Sequence, residues 1–207
     1  MKGILALIPV LMLVVSGCAT RPALQHERLL QITQGQTTRV EVEEMLGQPD
    51  DAVTGSNQKT LTVYRDSAAK QKFHLLKEEF DLYFLSAYFL FQPDGLLEKK
   101  LVSETATKTT AKFGVRTLGT PVTDEQLRQV KPKESRFEEV AQILGQPIGE
   151  ALTLDGQILR EWLFVRQSMF SSAKAQLITG IFDYDTDVML EYTIRDDVPD
   201  EKKKAVK

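Results

Sequence analysis

The chain has 207 residues, 42% of them apolar and 27% charged, with 26 basic against 29 acidic side chains and a formal net charge of −3. So weakly acidic a balance offers nothing to a polyanion, which excludes a nucleic-acid partner, and the apolar content excludes a wholly disordered chain. One cysteine and two histidines leave no intrachain disulfide and little from which to build a zinc site.

The N-terminus is read first. Lys2 precedes a nearly unbroken apolar run from Ile4 to Val15. Such a run is shorter than the ~20 residues a membrane-spanning helix needs and has the length of a signal-peptide core. It ends in Val15-Ser16-Gly17-Cys18, which looks like the lipobox of bacterial lipoproteins. Small residues at Ser16 and Gly17 let a peptidase groove close on extended backbone, so cleavage is expected between Gly17 and Cys18. The Cys18 thiol is the expected acceptor of diacylglycerol. The resemblance to bacterial lipoproteins, in which an aspartate after the cysteine commonly retains the protein in the inner membrane, implies from Ala19 the outer membrane and its periplasmic face. Removal of residues 1–17 leaves 25 basic and 29 acidic residues.

Downstream the chain repeats itself. Leu46-Gly47-Gln48-Pro49 recurs as Leu144-Gly145-Gln146-Pro147, an offset of 98, and 9 of the 23 positions from Glu27 to Pro49 are identical at that offset. The same register sets Tyr64 on Trp162. Each copy opens with a short helix carrying Leu29 and Ile32, or Leu127 and Val130, the latter begun by a Thr123-x-x-Gln126 capping box. A second helix follows, with boxes at Thr38-x-x-Glu41 and Ser135-x-x-Glu138 and apolar stripes Val42, Met45, Leu46 and Phe137, Val140, Ala141, Leu144. Gly47 and Gly145, each two residues before a proline, read as helix stops.

Strands are expected next. Thr60 to Tyr64 and Leu159 to Val165 are rich in β-branched, aromatic and aliphatic residues. A hairpin runs from Leu82 to Phe91, turns at Gln92-Pro93-Asp94-Gly95 and returns from Leu96 to Val102. Its counterpart pairs Gln176 to Asp183 with Val188 to Ile194. Ala68 to Phe80 fits either a helix or a long strand approach, and Ser103 to Pro121 reads as a linker. The expected fold class is α+β: two tandem ααβββ units, each a helix pair packed on a three-stranded antiparallel sheet. The expected organisation is a signal peptide at 1–17, a lipidated tether at 18–24, repeats at 25–102 and 122–196, a linker at 103–121 and a polar tail at 197–207.

A lipobox, two short helices, Leu-Gly-x-Pro and an aromatic about fifteen residues later resemble the SmpA/OmlA (BamE-like) lipoprotein family. The matching residues are Thr38, Val42, Leu46, Gly47, Pro49 and Tyr64, then Val140, Leu144, Gly145, Pro147 and Trp162. The resemblance implies helices on one face of a three-stranded antiparallel sheet and work at the outer membrane. The family's best-known member is an accessory subunit of the machine that inserts β-barrel proteins. Two tandem units are also similar in architecture to the β-lactamase inhibitory protein.

No catalytic constellation is visible. His26 and His74 stand apart, and no Gly-rich phosphate loop, HExxH or GxSxG occurs. Asp183, Asp185 and Asp187 alternate, but a calcium loop counted from Asp183 would need glycine and glutamate where Val188 and Ile194 stand. No enzyme activity, cofactor or metal is therefore expected. The segment Leu82 to Phe91, LYFLSAYFLF, lacks the alternation of a strand with one wet face. Either both faces are buried or one meets a partner, which makes Tyr83 and Tyr88, with Tyr64 and Trp162, the candidate partner-binding residues. The expected function is a non-catalytic protein-interaction module of envelope assembly or integrity, held to the membrane by its N-terminal lipid and engaging an envelope protein. The alternative is a tethered inhibitor or ligand-binding protein with a concave surface lined by Tyr64 and Trp162.

Overall fold

A computed structural model describes residues 24–74, 77–112, 115–168 and 171–197. Gly17, Cys18, the signal peptide and the basic tail lie outside the described residues. The chain order is α1 (His26–Gln31), α2 (Arg39–Leu46), β1 (Asp51–Thr54), β2 (Thr60–His74), β3 (Lys77–Phe91), β4 (Leu97–Lys112) and β5 (Val115–Leu118). It continues with α3 (Asp124–Gln129), α4 (Phe137–Leu144), β6 (Gly149–Leu152), β7 (Ile158–Ser168), β8 (Ser171–Phe182) and β9 (Met189–Asp197).

The expected pair of ααβββ units, each on its own three-stranded sheet, is overturned. Among the described residues all nine strands form one antiparallel sheet in the order β1-β2-β3-β4-β5-β7-β8-β9, with β6 also pairing with β7. The stretch expected as a linker is what fuses the sheet. β4 runs through it to Lys112, and β5 pairs Val115 with Lys112 on one side and Leu118 with Val165 on the other. Its threonines alternate at 105, 107 and 109, so β-branched propensity prevails over a polar composition there. Of Ala68 to Phe80, residues 68–74 and 77–80 are likewise strand, on the two arms of the β2–β3 hairpin. Each repeat also gains a four-residue strand, β1 or β6, too short to show a period.

Within that sheet the offset of 98 is repeated in hydrogen bonds. Thr33 N–H donates to Thr37 Oγ1 at 2.9 Å, as Lys131 N–H does to Ser135 Oγ at 3.1 Å. Arg28 Nη1 reaches Met45 O at 2.9 Å, and Gln126 Nε2 reaches Ile143 O at 2.7 Å. The boxes at Thr38 and Thr123 form, the N-cap N–H donating to Glu41 Oε2 at 2.7 Å and to Gln126 Oε1 at 3.0 Å. The box expected at Ser135 and Glu138 does not. Arg136 is the N-cap of α4, and its N–H donates to Glu139 Oε2 at 3.1 Å. Ser135 is occupied instead with closing the turn before it, so the two helices start in register.

Three apolar clusters result. Leu29, Ile32, Val42 and Leu46 of the first helix pair pack on Tyr64, Ala87, Phe89 and Phe91. Leu127, Val130, Val140 and Leu144 of the second pair pack on Trp162, Ile178, Phe182 and Met189. The third cluster joins the repeats: Leu152 of β6 lies against Val63, Tyr88 and Leu90, on the sheet face opposite α1 and α2. Tyr184 fastens this contact from the β8–β9 turn. Its hydroxyl donates to Lys100 O at 2.8 Å and accepts from Gln34 Nε2 at 2.5 Å.

Candidate functional site

The four candidate aromatics fall in three different environments. Tyr64 and Trp162, 0% and 5% exposed, are core residues at equivalent positions. Tyr64 Oη donates to Gly47 O at 3.2 Å, and Trp162 Nε1 donates to Gly145 O at 2.8 Å. Each aromatic therefore latches the sheet to the C-terminus of a helix, at the residue whose positive φ ends it (Gly47 +82°, Gly145 +86°). No concave surface is lined by this pair. Tyr88, 9% exposed, lies between the repeats. Tyr83 alone of the four is open, at 46%, with Phe84 beside it at 40%.

The register explains the difference along one strand. In β3, Ala87, Phe89 and Phe91 point to α1 and α2, while Tyr88 and Leu90 point to the second repeat. Both faces are thus covered from Ala87 to Phe91, which accounts for the missing alternation there. Upstream both covers end. Tyr83 lies opposite Ala68 on β2 and Ala106 on β4, and Phe84 lies opposite Ser67 and Thr105. Small neighbours leave both rings half bare. An open groove of about 200 Å³ follows, lined by Asp66, Ser67, Ala68, Tyr83, Phe84, Leu85 and Glu104. Glu104 Oε2 is 3.3 Å from His26 Nε2, so the groove adjoins the start of α1.

The remaining polar groups hold the fold. Arg160 is buried, donating to Glu150 Oε1 and Asp187 Oδ1 at 2.6 Å each, with its guanidinium 3.8 Å from the Phe137 ring centroid. Asp183 accepts from the Thr186 hydroxyl and N–H and from the Asp185 N–H; the Thr186 bonds hold its carboxyl below the usual aspartate range. Lys100 Nζ donates to Leu29 O at 3.2 Å and Ile32 O at 2.7 Å, capping α1, and burial lowers its pKa from the ordinary lysine value. Among the described residues no group of His, Cys, Asp and Glu side chains is placed to hold a metal ion.

Phe84, Arg160 and Tyr184 were not foreseen. The unalternating run containing Phe84 was visible, but parity alone does not say where cover stops. Nothing local marks Arg160, whose equivalent in the first repeat is Thr62. Comparison of the chain with protein-family models, characterised proteins and solved structures finds no match.

Proposed function

We propose that this protein is an outer-membrane-anchored periplasmic lipoprotein and a non-catalytic interaction module of envelope assembly or integrity, docking an envelope protein through the first repeat. Anchoring rests on Val15-Ser16-Gly17-Cys18 and kinship with the SmpA/OmlA family on the Leu-Gly-x-Pro and aromatic positions. The observation that carries docking is an asymmetry between the repeats. Seven large apolar residues are exposed among those described; six, Leu30, Val40, Val53, Tyr83, Phe84 and Val102, belong to the first repeat and only Ile194 to the second.

Duplication provides the control. At the offset of 98, Leu30 becomes Arg128 and Val40 becomes Glu138, so an equivalent helix pair folds with charges at those places. Exposed apolar side chains that the fold does not require are available for a contact, and Tyr83 and Phe84 stand together at one groove. The first repeat is also the one that the tether enters.

The test is site-specific photo-crosslinking in intact cells. A photoreactive residue at Tyr83 should give adducts with one envelope protein, and the same residue at Arg128 should not. Equal labelling at both positions, or none at either, would overturn the docking assignment. Cys18→Ser should move the folded protein from the membrane to the soluble fraction; retention on the membrane would overturn the anchor.

A further inference from the structure

We infer that the outer edge of β2 pairs with the same edge of a second molecule of this chain, antiparallel about a two-fold axis at Ala68. β1 covers β2 only from Thr60 to Val63, although β2 continues to His74. Among the described residues no strand lies on that edge beyond Val63. The first stretch of the open edge is guarded by carboxylates. Asp50 Oδ2 accepts the Arg65 N–H at 2.5 Å, and Asp66 Oδ1 accepts the Ser67 N–H at 2.8 Å. The backbone groups that face outward therefore belong to odd-numbered residues, which fixes the parity of any added strand.

Ser67-Ala68-Ala69 is the small-residue centre of this edge. With the axis at Ala68, Ser67 lies opposite Ala69 of the second molecule in a hydrogen-bonded pair. Asp66 then lies opposite Lys70, and Lys70 opposite Asp66, in the closer non-hydrogen-bonded pairs where side chains meet. An axis at Asp66 or Lys70 would set like charges face to face, and one at Ser67 or Ala69 would part Asp66 from Lys70. Only the Ala68 register is self-complementary in both size and charge, as a closed two-fold contact requires.

The rows beside the axis match as well. Tyr83 is the register partner of Ala68, so two tyrosines flank the paired alanines on the helix face. Phe84 and Leu82 are the partners of Ser67 and Ala69 and flank the other face. Asp50 at Arg65 confines the clear ladder to Asp66 through Lys70 of each molecule, and its main-chain hydrogen bonds, about four, are complete only once Asp66 Oδ1 releases the Ser67 N–H and turns to face Lys70. A contact this small falls below the ~1,200 Å² of a stable complex; it is a weak pair, favoured when both molecules share a membrane.

The test is disulfide trapping with the full-length chain in its membrane. Ala68→Cys places two thiols across a non-hydrogen-bonded pair with Cα atoms ~4.5 Å apart, within disulfide reach. Mild oxidation should yield a covalent homodimer from Ala68→Cys and from the Ser67→Cys/Ala69→Cys double variant, but not from Ser67→Cys alone or the parent. Asp66→Lys in the Ala68→Cys chain should cut the yield about tenfold, a loss of ~1.4 kcal/mol, and adding Lys70→Asp should restore it. A monomeric Ala68→Cys, trapping equally strong at Ser67→Cys, or no recovery on charge reversal would overturn the pairing. A homodimer has twice the chain mass, so this outcome is read apart from capture of an envelope protein at Tyr83, and either can fail alone.

Discussion

Trp162 and Tyr64 do the same work with different strength. Replacing Trp162 by Phe removes the 2.8 Å bond to Gly145 O, and because Gly145 is exposed and water can replace the donor, the cost in urea unfolding should be about 0.5–1.5 kcal/mol. Tyr64→Phe, losing a 3.2 Å bond, should cost less. Arg160→Ala strips a buried cation from two carboxylates and two rings. Because Asp187 is partly open to water, the loss should sit at the lower end of the ~3–5 kcal/mol typical of a broken buried pair. Acid should act through Glu41 and Asp183. The Thr38 N–H and hydroxyl hold Glu41 below its ordinary pKa, as the Thr186 bonds hold Asp183. A folded pKa below the unfolded one gives stability that is complete above the ordinary carboxylate range and is lost as pH falls through the folded value. The thermal midpoint should therefore be flat from neutrality to about pH 5 and decline below about pH 4. The decline should shrink in Glu41→Gln and Asp183→Asn, measured by circular dichroism. Of these residues, the sequence marks the glycines and an aromatic about fifteen residues after each Leu-Gly-x-Pro, but the latch itself depends on which way a side chain faces across the sheet.

At the scale of elements, what was legible is what is local. The Thr38 and Thr123 caps, the glycine stops and the apolar stripes are decided within one turn, and each appears where expected. The Ser135 box fails because two turns compete for one hydroxyl, and the earlier turn takes it. Strand ends are less local. β2 and β3 extend far past the apolar residues that first mark them, since a hairpin continues as long as its backbone ladder closes, whatever the side chains. Core volumes are exchanged between repeats in a way only the superposed registers reveal. Phe89 of β3 corresponds to Gly180 of β8, where Trp162 replaces the smaller Tyr64. A Cβ on Gly180 would lie 2.9 Å from Phe182 Cε2 and 3.0 Å from Met189 Cε, so Gly180→Ala should destabilise by about 1–3 kcal/mol through overpacking. Leu152→Ala, emptying the joint between repeats, should cost about 2–5 kcal/mol, with both repeats still melting together because one sheet runs through them.

For the molecule as a whole, duplication has produced two ends that are not alike. The face of the first repeat that receives Leu152 presents Val63, Tyr88, Leu90 and Leu101. The corresponding face of the second repeat presents Glu161, Thr179, Ile181 and Thr193. Polar replacements at three of four places make it a terminal cap, as tandem arrays require of their last unit. A further repeat cannot dock there as the second docks on the first. The sequence repeat was plain, yet it implied two self-contained units, because pairings such as Leu118 with Val165 join residues that no local pattern connects.

That pairing also sets an order in time. A chain emerging from its N-terminus can close β4 on β5 as soon as residue 118 is free, but β7 follows only after the whole of α3, α4 and β6. Meanwhile β5 presents Val115 to Leu118 as an unfinished margin. Longer waits leave more time for a wrong neighbour to take the place of β7. The four residues that unify the finished sheet are thus its most vulnerable point until β7 arrives, and slowing delivery of the chain between Leu118 and Val165 to the folding compartment should raise the share that aggregates.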